Sequence, residues 1–149
     1  MQFDKAAFQF LSDLKANNQR EWFTARKDVF KKHQDHAKEF YASIRKNLET
    51  HDEIDQFKLY RIYRDVRFSK DKTPYQPHFA GSFSRLGKQL RGSYYLRIRP
   101  GESFLAGGFW EPNKEDLQRI RKEIEVDAAE FRALLEDQNY QKHFGGTFA

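Results

Sequence analysis

The chain has 149 residues, a net charge of +5, 38% hydrophobic and 33% charged side chains, the balance of one globular domain large enough to bury a core. It contains no cysteine, which excludes disulfides and thiolate chemistry and agrees with a cytoplasmic setting. No stretch approaches the roughly 20 apolar residues of a membrane span, and the opening Met1-Gln2-Phe3-Asp4-Lys5 lacks the basic-then-apolar layout of a secretory signal.

Residues 4–16 read as an amphipathic helix with Phe8, Leu11 and Leu14 on one face, stopped at Asn17-Asn18 by an asparagine in the left-handed cap conformation. A single long helix is expected over 20–50. Its stripe Phe23, Phe30, His33, Ala37, Phe40/Tyr41, Ile44 and Leu48 advances by three or four, without Gly or Pro. The period then changes to two. Residues 57–68 read as a strand with Arg61, Tyr63, Asp65 and Arg67 on one face, and Tyr60, Ile62, Arg64, Val66 and Phe68 on the other.

The loop 69–77 holds two prolines, which cannot continue a central strand. Strands follow at 78–84 and 93–99. Pro100-Gly101-Glu102-Ser103 marks a turn, so 104–110 returns as the antiparallel partner, where Gly107-Gly108 implies a bulge or a close approach by another group. Asn113 caps a helix to about residue 123, and a shorter one spans 127–137. The end, 143–149, offers no element for its two phenylalanines and reads as lacking a C-terminal segment. The fold class is α+β: an antiparallel sheet of about four strands packed against a long N-terminal helix pair and C-terminal helices, in one domain.

Charge is unevenly distributed. Between Lys58 and Arg99 there are 11 Lys/Arg against 2 Asp/Glu, while the remainder is mildly acidic. Within 60–75, Arg61, Arg64, Arg67, Lys70 and Lys72 face only Asp65 and Asp71. Unpaired cations are costly to bury, so the segment is either an internal ion-pair lattice, with Arg64 held by Asp65, Asp71, Glu21 or Glu39, or an anion site. The loop from Ser69 to Tyr75 supplies hydroxyls, ammoniums and turn N–H groups suited to phosphate, without Walker A spacing. Asp65 and Asp71 are weak candidates for acid, base or metal work, because neighbouring cations lower carboxylate pKa values. His33 and His36, three apart on a helix, lack further ligands, and no metal or cofactor is predicted. His78, beside the loop, is a weak candidate for proton transfer. Neither a nucleophile elbow nor an RNA-recognition signature is present.

The strings Asn17 to Phe23, Tyr60 to Tyr75, Tyr94-Tyr95-Leu96 and Gly107 to Trp110 resemble the family called domain of unknown function 2461, across nearly the whole chain. The resemblance implies an α+β fold and a small, mostly bacterial intracellular protein, and it implies no activity. Arg97 and Arg99 stand where that family often carries His and an acid.

The leading expectation is a basic, tyrosine-lined pocket for a phosphorylated or carboxylated small molecule, with binding alone or a hydrolytic or transfer step left open. Arg61, Arg64 and Arg67 clamp the anion, Lys70, Lys72 and Arg97 add charge, Tyr75 and Tyr95 form walls, and Gly107 and Gly108 admit the ligand. One alternative is a single-stranded nucleic-acid module stacking bases on Tyr60, Tyr63, Tyr75, Tyr94 and Tyr95. The other is a protein-interaction domain with a purely structural ion-pair cluster.

Overall fold

A computed structural model describes residues 1–87 and 89–145. The chain forms two compact units, 1–110 and 111–149. In the first, α1 (Lys5–Ala16) starts where the Asp4 carboxylate accepts from the Ala6 N–H at 2.9 Å, and buries Ala7, Phe10, Leu11 and Leu14. The stripe thus runs through Phe10, with Phe8 only half-buried. Asn17 ends the helix at φ −125°, outside the left-handed region, with both its backbone and side-chain N–H groups donating to Asp13 O at 2.9 Å.

The expected long helix is two: α2 (Arg20–Thr24) and α3 (Lys27–Leu48). Neither Gly nor Pro makes the break. Arg26 leaves helical geometry (φ −121°, ψ 16°) as its guanidinium folds over the Trp22 ring at 4.4 Å and donates to Trp22 O at 3.3 Å. Phe23 is thereby aimed into the core, 5.1 Å from Phe30 and stacked on Tyr75 at 4.1 Å. Along α3, Phe30, Ala37 and Tyr41 are buried, with His33, Phe40, Ile44 and Leu48 partly so.

Four antiparallel strands lie in the order β1 (Ile54–Leu59), β2 (Phe79–Arg85), β3 (Ser93–Ile98), β4 (Phe104–Gly108). This confirms the α+β class, and α3 packs on β1 and β2. The core face carries Phe57, Leu59, Phe79, Phe83, Tyr94, Leu96 and Ile98. Tyr41 is its centre: the ring stacks on Phe83 at 5.8 Å and the hydroxyl donates to Leu96 O at 2.9 Å. Gly81 lies beneath it, where a Cβ would come within 2.7 Å of both the Tyr41 ring and Lys58 O. Only glycine lets the helix approach the sheet this closely.

The strand expected over 57–68 starts at Ile54 and ends at Leu59. Beyond it the pairing is intermittent: Tyr60 N donates to Ala80 O, Gln76 N to Ile62 O and Arg64 N to Pro74 O, with one bridge between Tyr63 and Tyr75. Pro74 and Pro77 lack the N–H groups a continuous ladder needs. No bulge occurs at Gly107-Gly108, since the β3–β4 register is regular from Arg97↔Phe104 to Ser93↔Gly108. The close approach at Gly107 is by the Tyr94 ring, 3.4 Å from where a Cβ would stand.

In the second unit, α4 (Lys114–Val126) is capped as expected, the Asn113 side chain accepting from Asp116 N at 2.8 Å. Helix α5 (Ala129–Glu136) follows, and α6 (Gln138–Phe144) adds a helix the sequence pattern does not announce. Asp137 caps it by accepting from Tyr140 N, and Tyr140 stacks on Phe144 at 4.9 Å. Of the two terminal phenylalanines, Phe144 is exposed and Phe148 lies outside the described residues. Among the described residues no helix is long and apolar enough to cross a membrane.

Candidate anion-binding groove

The segment after β1 is anchored from the opposite side by Asn18. Its amide donates to Tyr75 O at 2.9 Å and accepts from Tyr75 N at 3.1 Å, so one side chain substitutes for a backbone pairing partner. This joins the α1–α2 turn to the loop. Phe23 and Tyr63 close around the buried Tyr75 ring.

Within the loop the local acids are taken by local cations. The Arg64 guanidinium bonds the Asp71 carboxylate and donates to Thr73 Oγ1 at 2.6 Å, and Asp71 also accepts from the Thr73 N–H and hydroxyl. These donors hold the Asp71 carboxyl down to about pKa 2, Arg64 being the largest cause. Arg67 grips Asp65 bidentately at 2.9 and 2.6 Å, lowering the Asp65 pKa. Lys72 Nζ donates to Val66 O at 2.9 Å. Three of the five cations therefore hold the loop's shape.

Two adjoining cavities flank this loop and share Arg64 and Tyr75. One, about 360 Å³, is lined by Arg20, Phe23, Thr24, Lys27, Tyr63 and Pro74 among others. The other, about 460 Å³, is lined by Lys15, Asn18, Asp71, Thr73, His78 and Arg99 among others. Both volumes fall in the range of small-molecule sites. Together they present five cations, Lys15, Arg20, Lys27, Arg64 and Arg99, against the single carboxylate of Asp71. Among the described residues, Lys15, Arg20 and Lys27 form no ion pair, while Arg99 reaches Glu102 at 3.0 Å. His78 is half-buried with Nδ1 enclosed and unpartnered among the described residues. Burial first, then Arg97 and Arg99, lower its pKa to about 4 against the opposing pull of Glu102. At neutral pH it is an uncharged imidazole in a cationic wall.

The structure thus brings Arg64, Tyr75, Asp71 and His78 to one groove and sets the other expected residues elsewhere. Arg61, Arg67, Lys70 and Lys72 line neither cavity; Arg61 and Lys70 are exposed, and the Arg67 side chain is 76% exposed. Arg61 and Arg67 do not share a strand face, because no strand exists there. Tyr95 and Arg97 stand on the sheet face turned from the core, near Phe104. Gly107 and Gly108 line neither cavity. Asp65 is bound to Arg67. His33 packs 5.5 Å from Phe10, near Asp4, and His36 against Phe3. Lys15, Asn18, Arg20, Lys27 and Arg99 escape a reading confined to the 60–75 string. The one available signal is that Asn18 and Arg20 belong to the 17–23 string that carries the family resemblance.

These features define a small α+β protein with a cationic groove where the first three helices meet the loop beyond the first strand. The chain belongs to the domain of unknown function 2461 family: the family described as conserved hypothetical protein (DUF2461) matches residues 6–149. No curated protein and no solved structure matches it.

Proposed function

We propose that the groove binds a small anion bearing a phosphate or carboxylate group, clamped by Arg20, Lys27 and Arg64 on one side and by Lys15 and Arg99 on the other. The supporting observation is the surplus of five cations over one carboxylate around two contiguous cavities. Arg64 is the hinge of the arrangement. Asp71 and Thr73 fix its guanidinium, which retains N–H donors for a ligand. Of the loop's own cations only Arg64 also faces the groove, so the rest of the ligand-holding charge comes from α1, α2, the start of α3 and the residue that follows β3.

Thermal shift with inorganic phosphate, pyrophosphate and sugar phosphates tests the reading, because a ligand for the native state raises the midpoint by mass action. Pyrophosphate is expected to raise it saturably at fixed ionic strength, and Arg20→Gln with Lys27→Gln to abolish the rise. A midpoint insensitive to every anion overturns the proposal. Binding only of oligonucleotides, with a steep log-linear salt dependence, would replace it with the nucleic-acid reading.

A further inference from the structure

The sheet face turned from the core carries a second concave surface, separate from the groove. Strand register sets it: Ser82 opposes Tyr95, and Tyr95 opposes Ala106. Small residues make a floor between aromatic walls, giving a cavity of about 510 Å³ lined by Tyr60, Tyr95, Phe104 and Trp110 with the hydroxyls of Ser82 and Ser93. Ring centroids lie 6.4 Å apart for Tyr60 and Tyr95, and 5.6 Å for Tyr95 and Phe104. Trp110 is 84% exposed, and Tyr60 and Phe104 are exposed as well. Aromatic rings gathered around a cavity and left in water mark an interaction site more than a packing need.

The chemistry of the lining narrows the occupant. The Tyr60 hydroxyl donates to Ser82 Oγ at 3.0 Å, but the Ser93 and Tyr95 hydroxyls have no such partner among the described residues. A wholly apolar ligand would leave these two desolvated and unpaired, which is unfavourable. The ligand must therefore combine a flat ring with polar edges. No carboxylate lines the cavity, and cations stand at two of its margins: Lys58 Nζ lies 5.8 Å from the Tyr60 ring, and the Arg97 guanidinium 4.5 Å over Phe104. Among the described residues Arg97 is ion-paired only to Glu102, at 3.9 Å, and its Nε is enclosed without a hydrogen-bond partner.

We propose that this face binds a nucleoside monophosphate. The base stacks among Tyr95, Phe104 and Trp110, the serine and tyrosine hydroxyls meet its polar edge and the ribose, and Arg97 or Lys58 meets the phosphate.

Trp110 reports directly in a Trp22→Phe background, where it is the sole indole. Titration with AMP or UMP should quench its emission saturably. Tyr95→Ser should weaken this at least about fivefold, as stacking losses of this kind do. Phe104→Ser, at an exposed edge position, should do the same without unfolding the sheet, as far-UV circular dichroism would show. Arg97→Gln should weaken AMP and leave adenosine unchanged. No saturable response at millimolar nucleotide overturns the proposal, as does a response equal in wild type and Tyr95→Ser. Indole-3-acetate binding as tightly as AMP would overturn the nucleoside assignment. A response to inorganic phosphate alone, abolished by Arg20→Gln with Lys27→Gln, would assign the signal to the groove and also overturn it.

Discussion

His78 should stay neutral in the folded protein until the pH falls to about 4. Burial is the main cause, and the neighbouring Arg97 and Arg99 add to it. The folded pKa is below the unfolded value of 6.5, so the unfolded chain takes up the proton first. Stability from this group is complete above pH 6.5 and is lost as the pH falls from 6.5 toward 4. At about 1.4 kcal/mol per pH unit, the gap sets a ceiling of about 3 kcal/mol. Part of the ring is in water, and screening reduces the expected effect to about 1 to 2 kcal/mol. Urea unfolding of wild type and His78→Gln at pH 7.5 and pH 4.5 isolates it, since every other titrating group is common to both. Wild type should lose more stability than the variant by that amount. Proton NMR of the imidazole should place its midpoint near 4 and move it upward with saturating pyrophosphate, because an anion in the adjoining cavity favours the imidazolium. A midpoint at or above 6.5, or equal pH slopes in the two proteins, would refute this reasoning.

Gly81→Ala should destabilise the protein by about 2 to 4 kcal/mol in chemical denaturation, because the new methyl meets the Tyr41 ring and a backbone carbonyl at 2.7 Å. A loss under 1 kcal/mol would mean that α3 yields easily. Asn18→Ala should cost about 1 to 3 kcal/mol by leaving the Tyr75 N–H and carbonyl without their partner, and it should weaken pyrophosphate binding, which calorimetry would read. Arg67→Ala should leave pyrophosphate affinity at the wild-type value and lower stability by less than about 1 kcal/mol, since Arg67 lines neither cavity and its contacts with Asp65 and the Phe68 ring are made by a side chain 76% exposed.

Regular alternation and turn chemistry made the sheet legible. Residues 79–85 and 93–98 alternate, Pro100-Gly101 turns the chain, and Asn113 caps α4. The break between α2 and α3 was not legible, because it depends on Arg26 folding over Trp22 and on Phe23 finding Tyr75, far along the chain. The alternation of 57–68 was real but incomplete evidence. Pairing there depends on the returning strand, and its two prolines interrupt the ladder. The charge surplus of the central segment was visible, but the identity of each partner was not. Arg64 chose Asp71 over Glu21 or Glu39, and the five cations facing the groove come from five separate segments that only the fold assembles.

The most direct test of the groove is NMR observation of the arginine Nε–H signals during titration with pyrophosphate at constant ionic strength. Arg20, Arg64 and Arg99 should shift together and saturably, while Arg61 and Arg67 stay in place. Uniform, non-saturating movement of all five, or no movement of the first three, would contradict an anion site in the groove.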